Sequence, residues 1–242
     1  MIQASDPATG GDIPSVPVVR VDGLSMVYAG PPAVTALQPC SFTIERGDYV
    51  AITGPSGSGK TTLLSLLGLL DTPSAGVYEL DGVDVAQLSD KQRAGVRARL
   101  IGFVFQAFHL VAYRTVIDNV ELGLLYHGLS RSERRRRALN VIEHVGLGSR
   151  QHGLCSQLSG GEKQRVAIAR TLIREPSLVL CDEPTGNLDT ATSDQVLGLI
   201  EQLHSSGLTV VIITHDPSIA ERAERNLNIR DGIVTETLKA PA

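Results

Sequence analysis

The chain has 242 residues and a formal net charge of −4, with 22 Lys and Arg against 26 Asp and Glu. That length fits one domain, or a domain with an attached sub-domain, and the acidic balance argues against a bulk nucleic-acid binder. Cys40, Cys155 and Cys181 are odd in number and widely spaced, so they give neither a metal pattern nor a disulfide framework and suit a reducing cytoplasm.

Residues 1–16, rich in Gly, Pro, Ser and Asp, read as a disordered leader without the charged-then-apolar form of a signal peptide. Residues 16–21 read as a first strand, and Tyr28 as part of a short turn before Gly30-Pro31-Pro32. Ser41-Phe42-Thr43-Ile44-Glu45 alternates as a strand does and stops at the turn Arg46-Gly47-Asp48. Tyr49-Val50-Ala51-Ile52-Thr53 is β-branched or apolar throughout and reads as a buried strand. Gly54-Pro55-Ser56-Gly57-Ser58-Gly59-Lys60-Thr61 follows, and then Thr62-Leu63-Leu64-Ser65-Leu66-Leu67, which reads as a helix. The middle stretch matches G-x-x-x-x-G-K-[ST], and strand, loop and helix stand in the order that a phosphate-binding loop requires. Its glycines let backbone N–H groups close around an anion, and the helix start adds the positive end of its dipole. Lys60 is suited to the β- and γ-phosphates and the Thr61 hydroxyl to Mg²⁺. A flexible Gly/Ser turn would account for the glycines but not for that flanking order.

The longest strongly apolar run, residues 63–70, is too short to cross a bilayer, so a membrane role requires a separate chain. Val77-Tyr78-Glu79-Leu80 precedes Asp81-Gly82, a hairpin-type turn, and suggests a small antiparallel sheet flanking the core. Residues 108–157 read as mostly helical. Ser130-Arg131-Ser132-Glu133 has the capping-box pattern, Ala138, Val141, Ile142 and Val145 recur at helical spacing, and Gly146 is a stop. The arginines Arg134, Arg135, Arg136 and Arg137 on this helix read as a solvated basic face in preference to a lipid or acidic-partner contact.

Strand–helix alternation then returns. Leu178-Val179-Leu180-Cys181 is a buried strand ending in Asp182-Glu183. Val196, Leu199, Ile200 and Leu203 mark a helix that stops at Gly207, and residues 208–214 form a central parallel strand ending at His215-Asp216. Residues 227–230 and 233–235 flank Asp231-Gly232, a hairpin. Ligands of open α/β sheets gather at the carboxyl ends of strands, and three such ends carry the phosphate loop, Asp182-Glu183 and His215. Phosphoryl transfer needs a phosphate cradle, a metal, a positioned water and a base. Asp182 suits Mg²⁺ coordination, Glu183 suits polarising the water, and His215 suits sensing the γ-phosphate. Taken singly, an acidic pair at a strand end or a histidine near Pro217 carries little; the set carries the reading.

Leu158-Ser159-Gly160-Gly161-Glu162-Lys163-Gln164-Arg165 precedes Val166-Ala167-Ile168-Ala169-Arg170. Locally it is a capping box opening a helix, with two glycines where an anion could approach. This stretch resembles the signature motif of ATP-binding cassette (ABC) ATPases. Gly54 to Thr61 resembles their Walker A, and Leu178 to Asp182 their Walker B, with Glu183 as catalytic base. Gln106 resembles the Q-loop glutamine that touches the metal and the partner interface, Gly186-Asn187-Leu188-Asp189 the D-loop, His215 the switch histidine and Tyr28 the aromatic that stacks on adenine.

The resemblance implies an α/β fold: a P-loop NTPase (RecA-like) core, a flanking antiparallel β sub-domain and a helical sub-domain over about residues 107–165, all within one ATPase domain at 17–242. It implies ATP and Mg²⁺ as cofactors. ATP would be bound by Tyr28, Gly54, Pro55, Ser56, Gly57, Ser58, Gly59, Lys60, Thr61 and Thr62 of one subunit and by Ser159, Gly160 and Gly161 of a second copy. Metal would be held by Thr61, Gln106 and Asp182, and catalysis carried by Glu183, His215 and Gln106. Phe103-Val104-Phe105-Gln106 and Asp182-Glu183-Pro184-Thr185-Gly186-Asn187-Leu188-Asp189 narrow the likeness to the macrolide-exporter, lipoprotein-releasing and cell-division ATPases (MacB, LolD and FtsE types). That group works at the cytoplasmic face of the cell membrane with an integral-membrane permease. Ala112 and Cys155 depart from it, standing where prolines are usual. Two alternatives remain open: a regulatory ATPase that gates a cell-wall hydrolysis system without transport, and a soluble ABC protein of DNA repair or translation. The latter usually has tandem cassettes, coiled coils or zinc modules, and none is visible.

Overall fold

A computed structural model describes residues 16–238; all of the expected leader but Val16 lies outside the described residues. The chain opens with a long antiparallel pair, β1 (Val19–Tyr28) and β2 (Val34–Ile44). The first strand was expected to end near Val21 and Tyr28 to lie in a turn; instead the ladder runs on until Tyr28 pairs with Val34. Register shifts after Val21, Leu24 and Met26 carry it past Asp22, Gly23 and Ser25. Such bulges break the simple alternation by which a strand is recognised in sequence.

The chain then continues through β3 (Tyr49–Thr53), α1 (Lys60–Leu67), β4 (Ala75–Leu80), β5 (Val83–Asp84), α2 (Asp90–Leu100) and β6 (Ile101–Phe105). Next come the helices α3 (Val116–Glu121), α4 (Arg131–His144) and α5 (Gly160–Leu172), joined by short 3-10 turns. The last third runs β7 (Leu178–Asp182), α6 (Thr190–Ser205), β8 (Val210–Ile213), α7 (Pro217–Ala220), β9 (Arg225–Arg230) and β10 (Ile233–Leu238). Two sheets result: a small antiparallel one in the order β2-β1-β4-β5, and a larger one in the order β10-β9-β3-β8-β7-β6. The larger sheet is parallel apart from the final β9–β10 hairpin.

Strands covered on both faces need apolar residues at every position, and here the two sets separate with period two. Val50, Ile52, Leu178, Leu180, Val211 and Ile213 pack with α1 and the small sheet. Tyr49, Ala51, Val179, Cys181, Val210 and Ile212 pack with α3, α4, α5 and α6 on the other side. Burial pushes the Cys181 thiol up to about 12 and Cys40 up to about 11, so both stay protonated at neutral pH.

α2 has no apolar stripe, with Val96 its buried residue, so periodicity does not reveal it; Ser89 and Gln92, which form a capping box, were the available signal. The capping box expected at the start of α4 is only half formed. Ser130 Oγ accepts from the Glu133 N–H at 3.2 Å, but the Glu133 carboxylate turns to Arg136 at 2.7 Å and Arg137 at 2.8 Å. Arg135 faces Asp118 and Glu121. The basic run is thus largely neutralised by its own chain. Among the described residues, no helix is long and apolar enough to cross a membrane.

Candidate active site

The geometry of the site begins with strand register. Ile52 of β3 pairs with Ile213 of β8, Ile213 with Asp182 of β7, and Asp182 with Phe105 of β6. Four adjacent parallel strands therefore release the chain at one level and on one edge. The phosphate loop follows β3, Thr214-His215 follows β8, Glu183 follows β7 and Gln106 follows β6. Sequence reasoning placed three of these ends together; the pairing of β6 adds the fourth.

The loop is shaped by its backbone. Gly54, Gly57 and Gly59 have φ of 145°, 76° and 112°, values that L side chains rarely adopt. A Cβ on Gly54 would collide with the Ile229 carbonyl oxygen, and one on Gly59 would lie 2.5 Å from the Ala36 carbonyl oxygen. The loop is therefore pressed between β9 and β2. The β9–β10 turn braces it further: Gly232 donates to the Ser58 carbonyl at 2.9 Å and its own carbonyl accepts from Gln38 at 2.8 Å. Lys60 Nζ folds back to donate to the Gly54 and Pro55 carbonyls, each at 2.8 Å. Ser58 Oγ is buried without a hydrogen-bond partner among the described residues, as in a cradle whose remaining partner is a ligand. Val34, Thr35, Ala36, Lys60, Thr61 and Thr62 are among the residues lining a cavity of about 380 Å³ beside the loop. Tyr28 does not line it, but its register partner Val34 does; the Tyr28 hydroxyl donates to Asp71 at 3.3 Å.

The carboxylates stand at the end of β7. Burial and the adjacent Glu183 push the Asp182 pKa up, and Lys60 pulls it back. Among the described residues the Asp182 side chain makes no hydrogen bond or ion pair, which leaves an acidic oxygen pair open for a hard cation. Glu183 occupies the left-handed region at φ 44°, a strained position for a side-chain-bearing residue. Its N–H donates to the Ile213 carbonyl at 3.0 Å, and its Oε1 accepts from His215 Nδ1 at 2.6 Å and from the His215 N–H at 3.1 Å. That hydrogen bond and the carboxylate charge raise the pKa of His215 above its ordinary 6.5. Gln106 exchanges hydrogen bonds with Asn187, Nε2 to Oδ1 at 3.2 Å and Asn187 Nδ2 to the Gln106 carbonyl at 3.0 Å.

Ser159 and Glu162 form the complete capping box expected of them, with the Glu162 N–H on Ser159 Oγ at 3.3 Å and the Ser159 N–H on the Glu162 carboxylate at 2.8 Å. The two glycines have a packing role beside the one expected. A Cβ on Gly161 would run into Thr192 of α6, and one on Gly160 would lie 2.9 Å from Leu188. Neither glycine, nor Ser159, lines the cavity at the loop.

α5 also braces the exposed edge of the large sheet. β6 is the last strand, so its outer carbonyls lack a ladder partner, and side chains of α5 and of Arg174 just beyond its end supply donors. Arg174 donates to Ile101 at 3.0 Å, Thr171 to Phe103 at 2.7 Å, Gln164 to Phe105 at 3.3 Å and Arg170 to Phe108 at 2.9 Å. Beyond Gln106, the fully buried Asn119 holds the next segment: its Oδ1 accepts from Val111 at 2.8 Å, and its Nδ2 donates to the Val111 and Thr115 carbonyls at 3.1 and 3.0 Å. Sequence reasoning gave Asn119 and Arg170 no such roles, and no local pattern marks them.

Comparison with known proteins agrees with this geometry. A family model described as ABC transporter matches residues 37–186. The ABC transporter ATP-binding protein YvrO of Bacillus subtilis is 47% identical over 216 residues, covering 89% of this chain and 94% of that protein. The macrolide export ATP-binding/permease protein MacB of Chlorobaculum tepidum is 48% identical over 223 residues, which is 92% of this chain but 34% of that protein. The chain thus spans about a third of that relative's length. A solved dimeric ATP-binding cassette, in a post-hydrolysis state bound to ADP and Pi, is 39% identical with a TM-score of 0.80, over 91% of this chain and 98% of that one. The chain belongs to the ABC transporter family, as one of its ATP-hydrolysing, ATP-binding subunits.

Proposed function

We propose that this subunit energises an exporter or a lipoprotein- or lipophile-extraction system of the macrolide-export type. It would act at the cytoplasmic face of the cell membrane, as a pair of copies bound to a separate integral-membrane permease. The observation that carries the site assignment is the common level at which β3, β8, β7 and β6 end. Loop N–H groups and Lys60 bind the phosphates, with Pro55, Ser56 and Thr62 part of the same cradle, and Tyr28 stacks on the base. Mg²⁺ fits the hydroxyl of Thr61, the partner-free carboxylate of Asp182 and the amide of Gln106; when bound it neutralises charge on the β- and γ-oxygens. Glu183 accepts the proton of the attacking water. His215 holds the Glu183 carboxylate in place and turns to the γ-phosphate side when nucleotide arrives. Ser159, Gly160 and Gly161 present a capped helix start to the nucleotide of the second copy, which agrees with their absence from the loop cavity of their own chain. The helices over about residues 107–165 form the sub-domain that meets the permease, with residues 105–114 lining the contact.

The test is the assembly state of Glu183→Gln, measured by size-exclusion chromatography with light scattering. Unhydrolysed ATP with Mg²⁺ should hold two copies together, and removal of ATP should release them. A second change, Ser159→Arg, should abolish the dimer, because its bulk and charge occupy the γ-phosphate position from across the interface. A Glu183→Gln chain that binds ATP and stays monomeric would count against a self-sufficient pair.

A further inference from the structure

We infer that Asn187 is a positioning residue: its amide holds Gln106 against the turn that follows Glu183, so that the glutamine is preset beside the hydrolytic centre. The inference rests on the role of Gln106 given above. Asn187 grips Gln106 at two points, accepting from the side-chain amide at 3.2 Å and donating to the main-chain carbonyl at 3.0 Å. Only a short side-chain amide offers donor and acceptor at that reach; aspartate lacks the donor and alanine both. Among the described residues, nothing else hydrogen-bonds the Gln106 side chain. The neighbouring residue is fitted to the same contact, since a Cβ on Gly186 would lie 2.6 Å from Gln106 Nε2.

Both sides of the contact are firmly held. On one, Gly186 N–H donates to the Glu183 carbonyl and Leu188 N–H to the Thr185 carbonyl, each at 3.0 Å. Asp189 then caps α6 through the Thr192 N–H at 3.0 Å. On the other, Gln164 and Arg170 fix Phe105 and Phe108, and Asn119 fixes Val111 and Thr115. The amide pair is therefore the join between two braced units. A free glutamine side chain gives up considerable rotamer entropy each time it is recruited; the tether removes that cost beforehand.

The test uses the full chain in three variants, Asn187→Ala, Gln106→Ala and the double variant, with two readouts. Hydrogen–deuterium exchange of the nucleotide-free protein should quicken over residues 105–110 in Asn187→Ala. Loss of two exposed hydrogen bonds should lower kcat about five- to tenfold with KM for ATP within about twofold. The double variant should turn over no more slowly than Gln106→Ala alone, because Asn187 acts through Gln106. Unchanged exchange in Asn187→Ala, or losses that simply multiply in the double variant, would overturn the inference. Native turnover in Gln106→Ala would instead overturn the assigned role of Gln106, while the exchange result would still judge the tether.

Discussion

The phosphate loop and the segment from Gln106 to Thr115 leave the same edge of the same sheet, yet they are held by different means. The loop is held by main chain. Glycines at positive φ press it onto the carbonyls of Ile229 and Ala36, and Gly232 donates to Ser58. The second segment is held by side chains, with Arg170 and Gln164 from far along the chain on Phe108 and Phe105, and the nearby Asn119 on Val111 and Thr115. A cradle that must present N–H groups at fixed positions gains from backbone constraint, which few residue types satisfy. A segment that must answer a partner gains from braces that can be adjusted one side chain at a time. The contrast is testable by substitution on each side.

The largest effect is expected at Gly54→Ala, where the added Cβ meets the Ile229 carbonyl and the backbone resists the conformation. A cost of about 3 kcal/mol or more corresponds to a fall in Tm of roughly 6–12 °C for a domain of this size. Nucleotide binding should be lost with it, as calorimetry and a fluorescent ATP analogue would record. Gly57→Ala, which has positive φ but open space around it, should cost only about 1–2 kcal/mol.

On the other side of the comparison, Asn119→Ala should cost about 1–3 kcal/mol, because the half-buried Val111 N–H loses its acceptor while the Val111 and Thr115 carbonyls keep their main-chain donors. Hydrogen exchange should quicken over residues 108–115 while ATP affinity stays native. Equal loss of affinity in Asn119→Ala would erase the distinction between the two regions. The smallest effect is a titration. The Glu183 hydrogen bond raises the His215 pKa, so the charged pair is complete at low pH and is lost as pH rises through the folded-state value. Because His215 is largely exposed, the effect on stability should be slight, and NMR of the imidazole is the proper readout. Its midpoint should lie above 6.5 and fall back toward that value in Glu183→Gln.

The same contrast explains what could be read from residues alone. The loop, β3, β7, β8 and the Ser159–Glu162 box are legible because each is set by local residue types at fixed spacing. The end of β1 was hidden by its bulges, α2 by its lack of an apolar stripe, and the half-formed box at Ser130 by the competing pull of Arg136 and Arg137 on Glu133. The join between Gln106 and Asn187 crosses 81 positions of sequence, and such pairs have no local signal. Asn187 was visible only as part of a family motif, without a physical role.

The most direct test of Glu183 as the base is single-turnover hydrolysis of prebound ATP, with wild-type chain and Glu183→Gln compared at equal occupancy. Glutamine keeps the shape and hydrogen-bonding capacity of the side chain but cannot take the proton, and loss of a general base lowers the rate about 10²–10⁴-fold. The expected result is native ATP affinity with ATP recovered intact from the variant over times in which the wild type converts it to ADP and phosphate. Cleavage by Glu183→Gln at the wild-type rate would contradict the assignment and move the proton acceptor elsewhere.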